Sequence, residues 1–295
     1  MITTLKSGLK VFRDDLFPLL GGGNKGRKIE YISKDIVKQG ANAIVTTGGI
    51  QSNHCRAAAV IAAQNGWKCT LVIHGDEKSF FKQGGNALLM RSTDATLIFV
   101  KPDEIERTMN LAMKTYEEDG FRPYYIYGGG HTLDGGLSYV DAIADLKRYL
   151  QATDNSMNYI FLASGTGSTQ AGILSGLDKY SIDSEVIGIS VGRPKVRAEQ
   201  VVQEFYTKLC DNYNIHGGQR RVTVLDEYLC GGYGKFNAEI KELSLNSIKN
   251  YGFALDTTYT AKAFYGMHEY INKHKLTGNI LFWHTGGLLN FLAEN

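Results

Sequence analysis

Three glycine-rich segments constrain the fold of this chain more than any other feature, because each stands between a strand-like run and a helix-like run. They lie at residues 48–54, 164–172 and 284–288. Strand-like and helix-like runs also alternate along the rest of the chain, a pattern typical of parallel sheets joined by right-handed crossovers. Ligands of such sheets bind beyond the carboxyl ends of the strands. The sequence therefore predicts an α/β fold in which the three loops converge on one site.

Apolar patterns place the individual elements. We expect helices after residue 24 and at residues 57–64, 105–118, 138–150 and 197–213. We expect strands at residues 9–13, 43–47, 68–74, 95–100, 124–127, 159–163, 185–191, 222–225 and 279–283.

A further glycine run, Gly21–Gly23, precedes Lys25. Glycine permits a tight backbone without side-chain obstruction, and Asn24 is interpreted as the N-cap of a helix. The apolar stripe of that helix is expected to consist of Ile29, Ile32, Ile36 and Val37. The positive end of a helix dipole disfavours an ammonium group, so the pKa of Lys25 should be lowered. A neutral amine is what Schiff-base chemistry requires, and an ordinary exposed lysine is the alternative interpretation.

The loop at residues 164–169 offers consecutive backbone N–H groups and hydroxyls at a helix start, an arrangement that can cradle an anion. It is not a Walker A loop, because no Lys-Ser/Thr pair follows the glycines. Gln170 stands where the dinucleotide fingerprint requires a third glycine. A phosphate carried by another cofactor is favoured, and a purely structural turn is the alternative.

The loop at residues 48–54 ends in Ser52, Asn53 and His54 at the next predicted helix start. N–H groups and a hydroxyl there can hold a carboxylate, and simple capping by Ser52 or Asn53 is the alternative. His54 and Cys55 have no further partner at metal-ligand spacing, so we predict no metal site.

The composition is that of an ordinary globular protein: 295 residues, 43% hydrophobic and 21% charged, with a net charge of +2. No basic run with interleaved aromatic residues indicates nucleic acid, and no stretch approaches the ~20 apolar residues of a membrane span. We find no signal-peptide pattern in Met1–Val11. The four cysteines lack C-x-x-C spacing, so reduced thiols in a cytoplasmic protein are expected rather than disulfides or zinc.

A lysine on a glycine hinge, an amide-bearing loop and a phosphate cradle together describe a pyridoxal phosphate site. The chain resembles the fold-type II family of pyridoxal phosphate enzymes, in the branch of 1-aminocyclopropane-1-carboxylate deaminases and D-cysteine desulfhydrases. The matching segments follow the family's order over nearly the whole chain, at residues 12–16, 22–30, 49–54, 164–172, 255–262 and 284–287.

The resemblance implies two open, twisted, mostly parallel sheets with helices on both faces, similar to the tryptophan synthase β fold, with the cofactor between two domains. The small domain is expected at residues 30–133, and the large domain at residues 1–29 and 134–295. The resemblance further implies a homodimer whose substrate is a small amino acid.

The resemblance also implies how pyridoxal 5'-phosphate is held. Lys25 forms the Schiff base, Lys28 helps to hold the phosphate, and Asn53 bonds the phenolic oxygen. Thr285 of the last loop also lies at the cofactor. The main phosphate cradle is Gly165, Thr166, Gly167, Ser168 and Thr169.

For the substrate, the resemblance implies that Ser52, with neighbouring backbone N–H groups, binds the carboxylate beside Asn53 and His54. Tyr259 matches a tyrosine that handles protons in this branch, and Tyr233 matches a second active-site tyrosine. Simple packing is the alternative for both tyrosines, since the chain has 17 of them.

Two positions separate the candidate reactions. Deaminases of the cyclopropane acid place glutamate at the position of Thr260, where it reaches the pyridine nitrogen, and leucine at the position of Thr285. Threonine at both positions is similar to D-cysteine desulfhydrase, and a less protonated pyridine suffices when a good leaving group departs from Cβ. We therefore favour α,β-elimination from D-cysteine. The cyclopropane acid deaminase, another β-substituted substrate, a silent family member and a non-enzymatic phosphate-binding module are the alternatives.

The loop after Tyr127 departs from the family's usual sequence, because His131 and Asp134 stand where a Gly-Gly-Ser-Asn type of sequence is common. These two residues are expected to reshape the substrate region or the region of domain closure.

Overall fold

The computed structural model describes residues 2–294, and Met1 and Asn295 lie outside the described residues. The strands are β1 Ile2–Thr4, β2 Lys10–Arg13, β3 Ala43–Gly49, β4 Lys68–His74, β5 Thr96–Val100, β6 Pro123–Ile126, β7 Tyr159–Ser164, β8 Glu185–Ser190, β9 Thr223–Leu225 and β10 Ile280–His284. The helices are α1 Gly23–Lys38, α2 Asn53–Asn65, α3 Glu77–Lys82, α4 Gly85–Arg91, α5 Ile105–Glu118, α6 Leu133–Thr153, α7 Ser168–Lys179, α8 Lys195–Asn212, α9 Ala238–Tyr251, α10 Thr260–His274 and α11 Leu288–Glu294.

Two separate sheets organise these elements. The large sheet has the order β1-β2-β10-β7-β8-β9, and the small sheet has the order β5-β4-β3-β6. Every pairing is parallel except that of β1 with β2. The predicted fold class is therefore confirmed. The small sheet lies within the predicted small domain, whose boundaries at residues 30 and 133 stay a prediction.

An apolar core covers each face of the large sheet. Successive side chains of a strand point to opposite faces, so alternate residues of the central strands belong to different cores. Ile160 and Leu162 of β7 belong to the apolar core that also contains Trp283. Phe161, between them, belongs to a second core together with Phe282. The near-continuous apolar run of β7 thus reflects burial on two sides.

A buried carboxylate fixes α1 to the large sheet. Asp14, which follows β2, accepts hydrogen bonds from Arg27 Nε at 2.8 Å, from the Tyr139 hydroxyl at 2.5 Å and from Trp283 Nε1 at 2.8 Å. Arg27 Nη2 also lies 2.6 Å from Asp14 Oδ1. The hydrogen bonds from Tyr139 and Trp283 support the buried ion pair, because both of its charges have lost their contact with water. The network sets the position of α1 and so of Lys25.

The start of α1 differs from the prediction. Gly22, not Asn24, is the N-cap, and its φ of +54° suits glycine. A Cβ atom at Gly22 would lie 2.2 Å from the carbonyl oxygen of Asp15, so only glycine fits there. Asn24 lies inside the first turn. Val37 was wrongly assigned to the buried stripe, because it is 63% exposed, whereas Ile29, Ile32 and Ile36 are buried.

The four cysteines are free thiols, in agreement with the prediction. Within residues 2–294, no helix has the length and apolar character needed to span a membrane. In the same part of the chain, no group of three or more His, Cys, Asp or Glu side chains is placed to hold a metal ion.

Candidate active site

The glycine-rich loops meet around one cavity of about 530 Å³. Loops after β3, β7 and β10 all contribute to its wall, as the parallel topology requires. Most of the sequence-predicted site residues line it: Lys25, Ser52, Asn53, His54, Gly165, Thr166, Gly167, Thr169, Tyr233, Tyr259 and Thr285.

Lys28 and Ser168 do not line the cavity. Both are buried beneath the loop, where Lys28 Nζ donates a hydrogen bond of 2.8 Å to Ser168 Oγ. Burial, and then repulsion from Lys25, hold the pKa of Lys28 well below its usual value. Lys28 thus contacts the start of α7, and its expected part in holding the phosphate stays a prediction.

Lys25 lies in the first turn of α1, and its Nζ donates a hydrogen bond of 2.8 Å to the carbonyl oxygen of Gly129. Burial lowers the pKa of this amine from 10.5 to about 8. The direction is the one expected from the sequence, and burial is its cause. At pH 7 roughly one-tenth of the amine is therefore neutral.

The loop between β7 and α7 has the features of an anion cradle. Gly167, the N-cap of α7, lines the cavity and has a φ of +88°, a conformation that favours glycine. The first N–H groups of a helix have no partner within the helix and can bind an anion. Ser164 Oγ is buried without a hydrogen-bond partner among residues 2–294. The guanidinium of Arg193 contacts the carbonyl oxygen of Gly165 and adds positive charge at the cavity wall. These residues fit a phosphate group.

Tyr233 and Tyr259 approach each other at the cavity with their hydroxyl groups in hydrogen-bond contact. Burial, and then the proximity of Tyr233, hold the pKa of Tyr259 well above its usual value, so its hydroxyl keeps its proton. Tyr233 is carried by a loop that Lys262 secures, since Lys262 Nζ donates to the carbonyl oxygens of Leu229 at 3.1 Å and Gly232 at 3.0 Å.

Ser52 caps α2, as the alternative interpretation held, because its Oγ accepts a hydrogen bond of 3.1 Å from the N–H of Cys55. His54 Nε2 lies 2.8 Å from Thr46 Oγ1, and that hydroxyl donates to the carbonyl oxygen of Ile126 at 2.8 Å. The Thr46 oxygen is thus left to accept from His54, which fixes the proton of the imidazole on Nε2. Burial holds the pKa of His54 well below 6.5, so the ring is neutral.

Thr260 does not reach the cavity, which corrects its expected place at the pyridine nitrogen. Its hydroxyl donates 2.8 Å to Asp256 Oδ1 and accepts from the N–H of Asp256 at 3.0 Å. Thr285 does line the cavity, so it is the threonine of the pair that faces a ligand. Among the described residues, no aspartate or glutamate lines the cavity.

His131 also lies outside the cavity wall. Its ring packs against Phe205 at a centroid distance of 4.2 Å, and burial lowers its pKa to about 4. Asp134 stands in the first turn of α6 and likewise does not line the cavity. Neither residue therefore contacts the cavity directly, and the expectation that they reshape the substrate region or the region of domain closure stays a prediction.

The residues of the cavity wall that sequence reasoning missed include His74, Ile105 and Arg193. His74 ends β4, so the rule that ligands bind beyond strand ends could have identified it. Ile105 and Arg193 stand in no motif and reach the cavity only through the tertiary fold.

Comparison with known proteins agrees with this geometry. The sequence model of the family described as "Pyridoxal-phosphate dependent enzyme" matches residues 6–286. This chain belongs to that family, and its cofactor is pyridoxal phosphate.

Individual relatives narrow the comparison. D-cysteine desulfhydrase of Yersinia pestis (strain Pestoides F) is 34% identical over 284 residues, which are 93% of this chain and 85% of the relative. The crystal structure of an ACC deaminase homologue is similar with a TM-score of 0.85 and 31% identity, over 96% of this chain and 86% of the homologue. A hydrogen sulfide-producing enzyme from Fusobacterium nucleatum shares the fold, with a TM-score of 0.63, 14% identity and coverage of 97% and 91%.

Proposed function

We propose that this protein is a pyridoxal phosphate-dependent lyase that removes a β substituent from a small amino acid and deaminates it, with D-cysteine as substrate. The observation that carries the proposal is the content of the cavity wall. A partly neutral lysine and a protonated tyrosine pair face one cavity, and no described carboxylate lines it. A wall without a carboxylate favours elimination of a good leaving group over opening of an unactivated ring.

The cradle Gly165, Thr166, Gly167 and Thr169, together with the start of α7, would hold the cofactor's phosphate. Lys25 would carry its aldehyde carbon, and Asn53 and Thr285 would contact its ring. When bound, pyridoxal phosphate supplies an electron sink for the bond broken at Cα.

Residues of this chain would then bind the substrate and move its protons. Backbone N–H groups at the start of α2, together with the Ser52 hydroxyl, would hold the carboxylate. Neutral Lys25 would take the proton from Cα, with the Tyr259 hydroxyl as the second candidate for proton transfer. Tyr233 would orient that hydroxyl. Water completes the reaction, so that D-cysteine and water give pyruvate, hydrogen sulfide and ammonia.

The test is release of pyruvate and sulfide from D-cysteine by the cofactor-loaded protein. We expect both products in equal amounts, with none from Lys25→Ala. Absence of both, from wild-type protein that still shows the visible absorbance of lysine-bound cofactor, would refute D-cysteine as substrate. The second candidate is deamination of 1-aminocyclopropane-1-carboxylate, which the similarity to the ACC deaminase homologue supports. With 1-aminocyclopropane-1-carboxylate in place of D-cysteine, that reaction would give ammonia and 2-oxobutyrate without sulfide.

We also propose a cytoplasmic homodimer with a small domain at residues 30–133. Four free cysteines support a reducing compartment. Leu288 and Leu292 of α11 and Leu88 of the adjacent α4 are exposed apolar side chains of the kind that a second copy would cover. Light scattering tests the homodimer, since a monomeric mass at micromolar protein would refute it.

A further inference from the structure

Four amide side chains form a cluster behind the cavity, where α11 meets α2 and α4. Gln51 precedes α2, Asn53 begins it, Asn86 lies in α4 and Asn290 lies in α11. Asn53 lines the cavity, whereas Asn86 and Asn290 are buried and do not. Buried amides must have their donors and acceptors paired, so the direction in which each one points is a property of the whole cluster.

One end of the cluster is fixed by a group that can only donate. Arg56 Nε donates 3.2 Å to Asn86 Oδ1. The guanidinium is itself held in place, because it also donates to the carbonyl oxygens of Leu20 at 2.8 Å and Gly22 at 3.1 Å. The oxygen of Asn86 must therefore face Arg56. Its nitrogen is left to donate, and it does so to Asn53 Oδ1 at 2.9 Å.

The other end is fixed by a group that can only accept. The carbonyl oxygen of Gln51 accepts a hydrogen bond of 3.2 Å from Asn290 Nδ2. The Asn290 oxygen therefore faces Asn53, whose Nδ2 donates to it at 2.6 Å. Reversing the Asn53 amide would set its oxygen against the oxygen of Asn290 and its nitrogen against the nitrogen of Asn86. Both ends of the cluster thus require the same orientation of Asn53.

We propose that Asn290 is a positioning residue that fixes the Asn53 amide so that it offers one N–H donor to an oxygen atom of the bound cofactor. Asn53 uses its oxygen and one N–H inside the cluster. The second N–H has no partner among residues 2–294, and Asn53 is the cluster asparagine that lines the cavity. The inference rests on the cofactor placement proposed above.

The cluster also connects the two sheets. Asn290 follows β10 of the large sheet, while Asn53 and Asn86 lie on helices that pack over the small sheet. A Cβ atom at Gly85 would lie 2.3 Å from the carbonyl oxygen of Leu289, so α4 and α11 are in close contact beside the cluster. The orientation of the Asn53 donor therefore depends on α11 being seated against α2 and α4.

A double-mutant cycle on cofactor affinity tests this. The dissociation constant of pyridoxal phosphate is measured with apoprotein in the absence of any amino acid, for wild type, Asn290→Ala, Asn53→Ala and the double variant. Because Asn290 acts through Asn53, we expect Asn290→Ala to weaken binding about tenfold in the wild-type background and less than about twofold in the Asn53→Ala background. Asn65→Ala, which changes an exposed asparagine at the far end of α2, is the control and should leave affinity unchanged.

An equal loss in both backgrounds would overturn the proposal, since Asn290 would then act only by docking α11. No loss in either background would overturn it as well. If Asn290→Ala yields little folded protein, Asn290→Ser replaces it in the same cycle. As a second readout, the pH midpoint of the bound cofactor's visible absorbance should shift in the same direction in Asn290→Ala and Asn53→Ala. Failure of the proposed function is distinguishable, because a wild-type protein without that absorbance would show that Lys25 does not bind the cofactor.

Discussion

The pH dependence with which Lys25 captures the cofactor follows directly from its burial. The amine donates a hydrogen bond to the Gly129 carbonyl oxygen at 2.8 Å. Only a neutral amine attacks an aldehyde, so the rate of capture follows the neutral fraction of Lys25. Raising the pH of the apoprotein is therefore the perturbation, and the attachment rate is the response.

The size of the effect follows from the pKa. Burial lowers the pKa of Lys25 from 10.5 to about 8. At pH 7 an amine with a pKa of about 8 is roughly one-tenth neutral, whereas an unperturbed lysine is neutral in only about 3 molecules in 10,000. The buried environment should thus raise the reactive fraction about 300-fold at that pH.

The assay mixes apoprotein with pyridoxal phosphate and follows the visible absorbance of the lysine-bound cofactor between pH 7 and 10. The rate constant should rise with pH and level off above about pH 8. A phosphate monoester has its second pKa near 6, so the cofactor's phosphate does not titrate in this window. Lys25→Ala should show no absorbance change. A rate that keeps rising tenfold per pH unit up to pH 10 would refute a perturbed lysine.

Three further predictions concern the framework of the site. Asp14→Asn should lower the free energy of unfolding by about 3–5 kcal/mol, measured in urea, because it leaves the charge of Arg27 buried without a partner. Gly287→Ala should lower the free energy of unfolding by at least about 2 kcal/mol more than Gly252→Ala, although both glycines have positive φ. The reason is that a Cβ atom at Gly287 would lie 2.1 Å from Asp256 Oδ1, whereas one at Gly252 would meet nothing within 4 Å. Burial, and then Glu294, raise the pKa of Asp256 from 3.8 to about 7, so the folded state holds more protons than the unfolded state between these values. The free energy of unfolding should therefore fall with rising pH in that window by up to about 1.4 kcal/mol per unit, and Asp256→Asn should remove this contribution.

Each of these measurements has its own control and its own contradicting result. Glu30→Gln removes the partner of an exposed Lys34 ion pair and should cost less than about 0.5 kcal/mol, so an equally small loss for Asp14→Asn would contradict the buried-pair argument. Equal losses for Gly287→Ala and Gly252→Ala would show that the backbone at Gly287 moves away from Asp256. An unchanged pH slope in Asp256→Asn would show that Asp256 is already ionised in the folded protein at low pH.

The local sequence pattern predicted the strands and the loops of the site well. The reason is that a run of apolar residues marks each of the strands β3, β7 and β10, and a glycine-rich loop follows directly where each run ends. The boundary errors have local causes. Asn24 is a good N-cap residue by type, but its backbone N–H is taken by the carbonyl oxygen of Thr285, 2.8 Å away in space and 261 positions away in sequence. Ile29, Ile32 and Ile36 form the buried face of α1 at helical spacing, and Val37 lies outside this face and is exposed.

Several contacts of the site residues could not be predicted, because they join residues distant in sequence or depend on competing local partners. Thr260 donates from its N–H and its hydroxyl to Asp256, four positions earlier, at the start of α10. The family comparison instead placed this position at the pyridine nitrogen of the cofactor. Lys28 faces Ser168, 140 positions away. Asn290 was not identified at all, because a single asparagine in a short apolar helix forms no pattern.

The pairing of β2 with β10 has a consequence for the order in which the protein forms during synthesis. All strands of the small sheet have left the ribosome once residue 126 is free, but β2 at Lys10–Arg13 lacks its neighbour β10 until residue 284 follows. At typical elongation speeds the 158 residues from 127 to 284 take roughly 8 to 30 s. During that interval Phe12, which stacks on Trp283 in the finished protein, has no ring to pack against. Lys25 is made early, yet the cofactor pocket around it is completed among the last parts of the molecule, so a nascent chain contains Lys25 before the burial that makes its amine reactive.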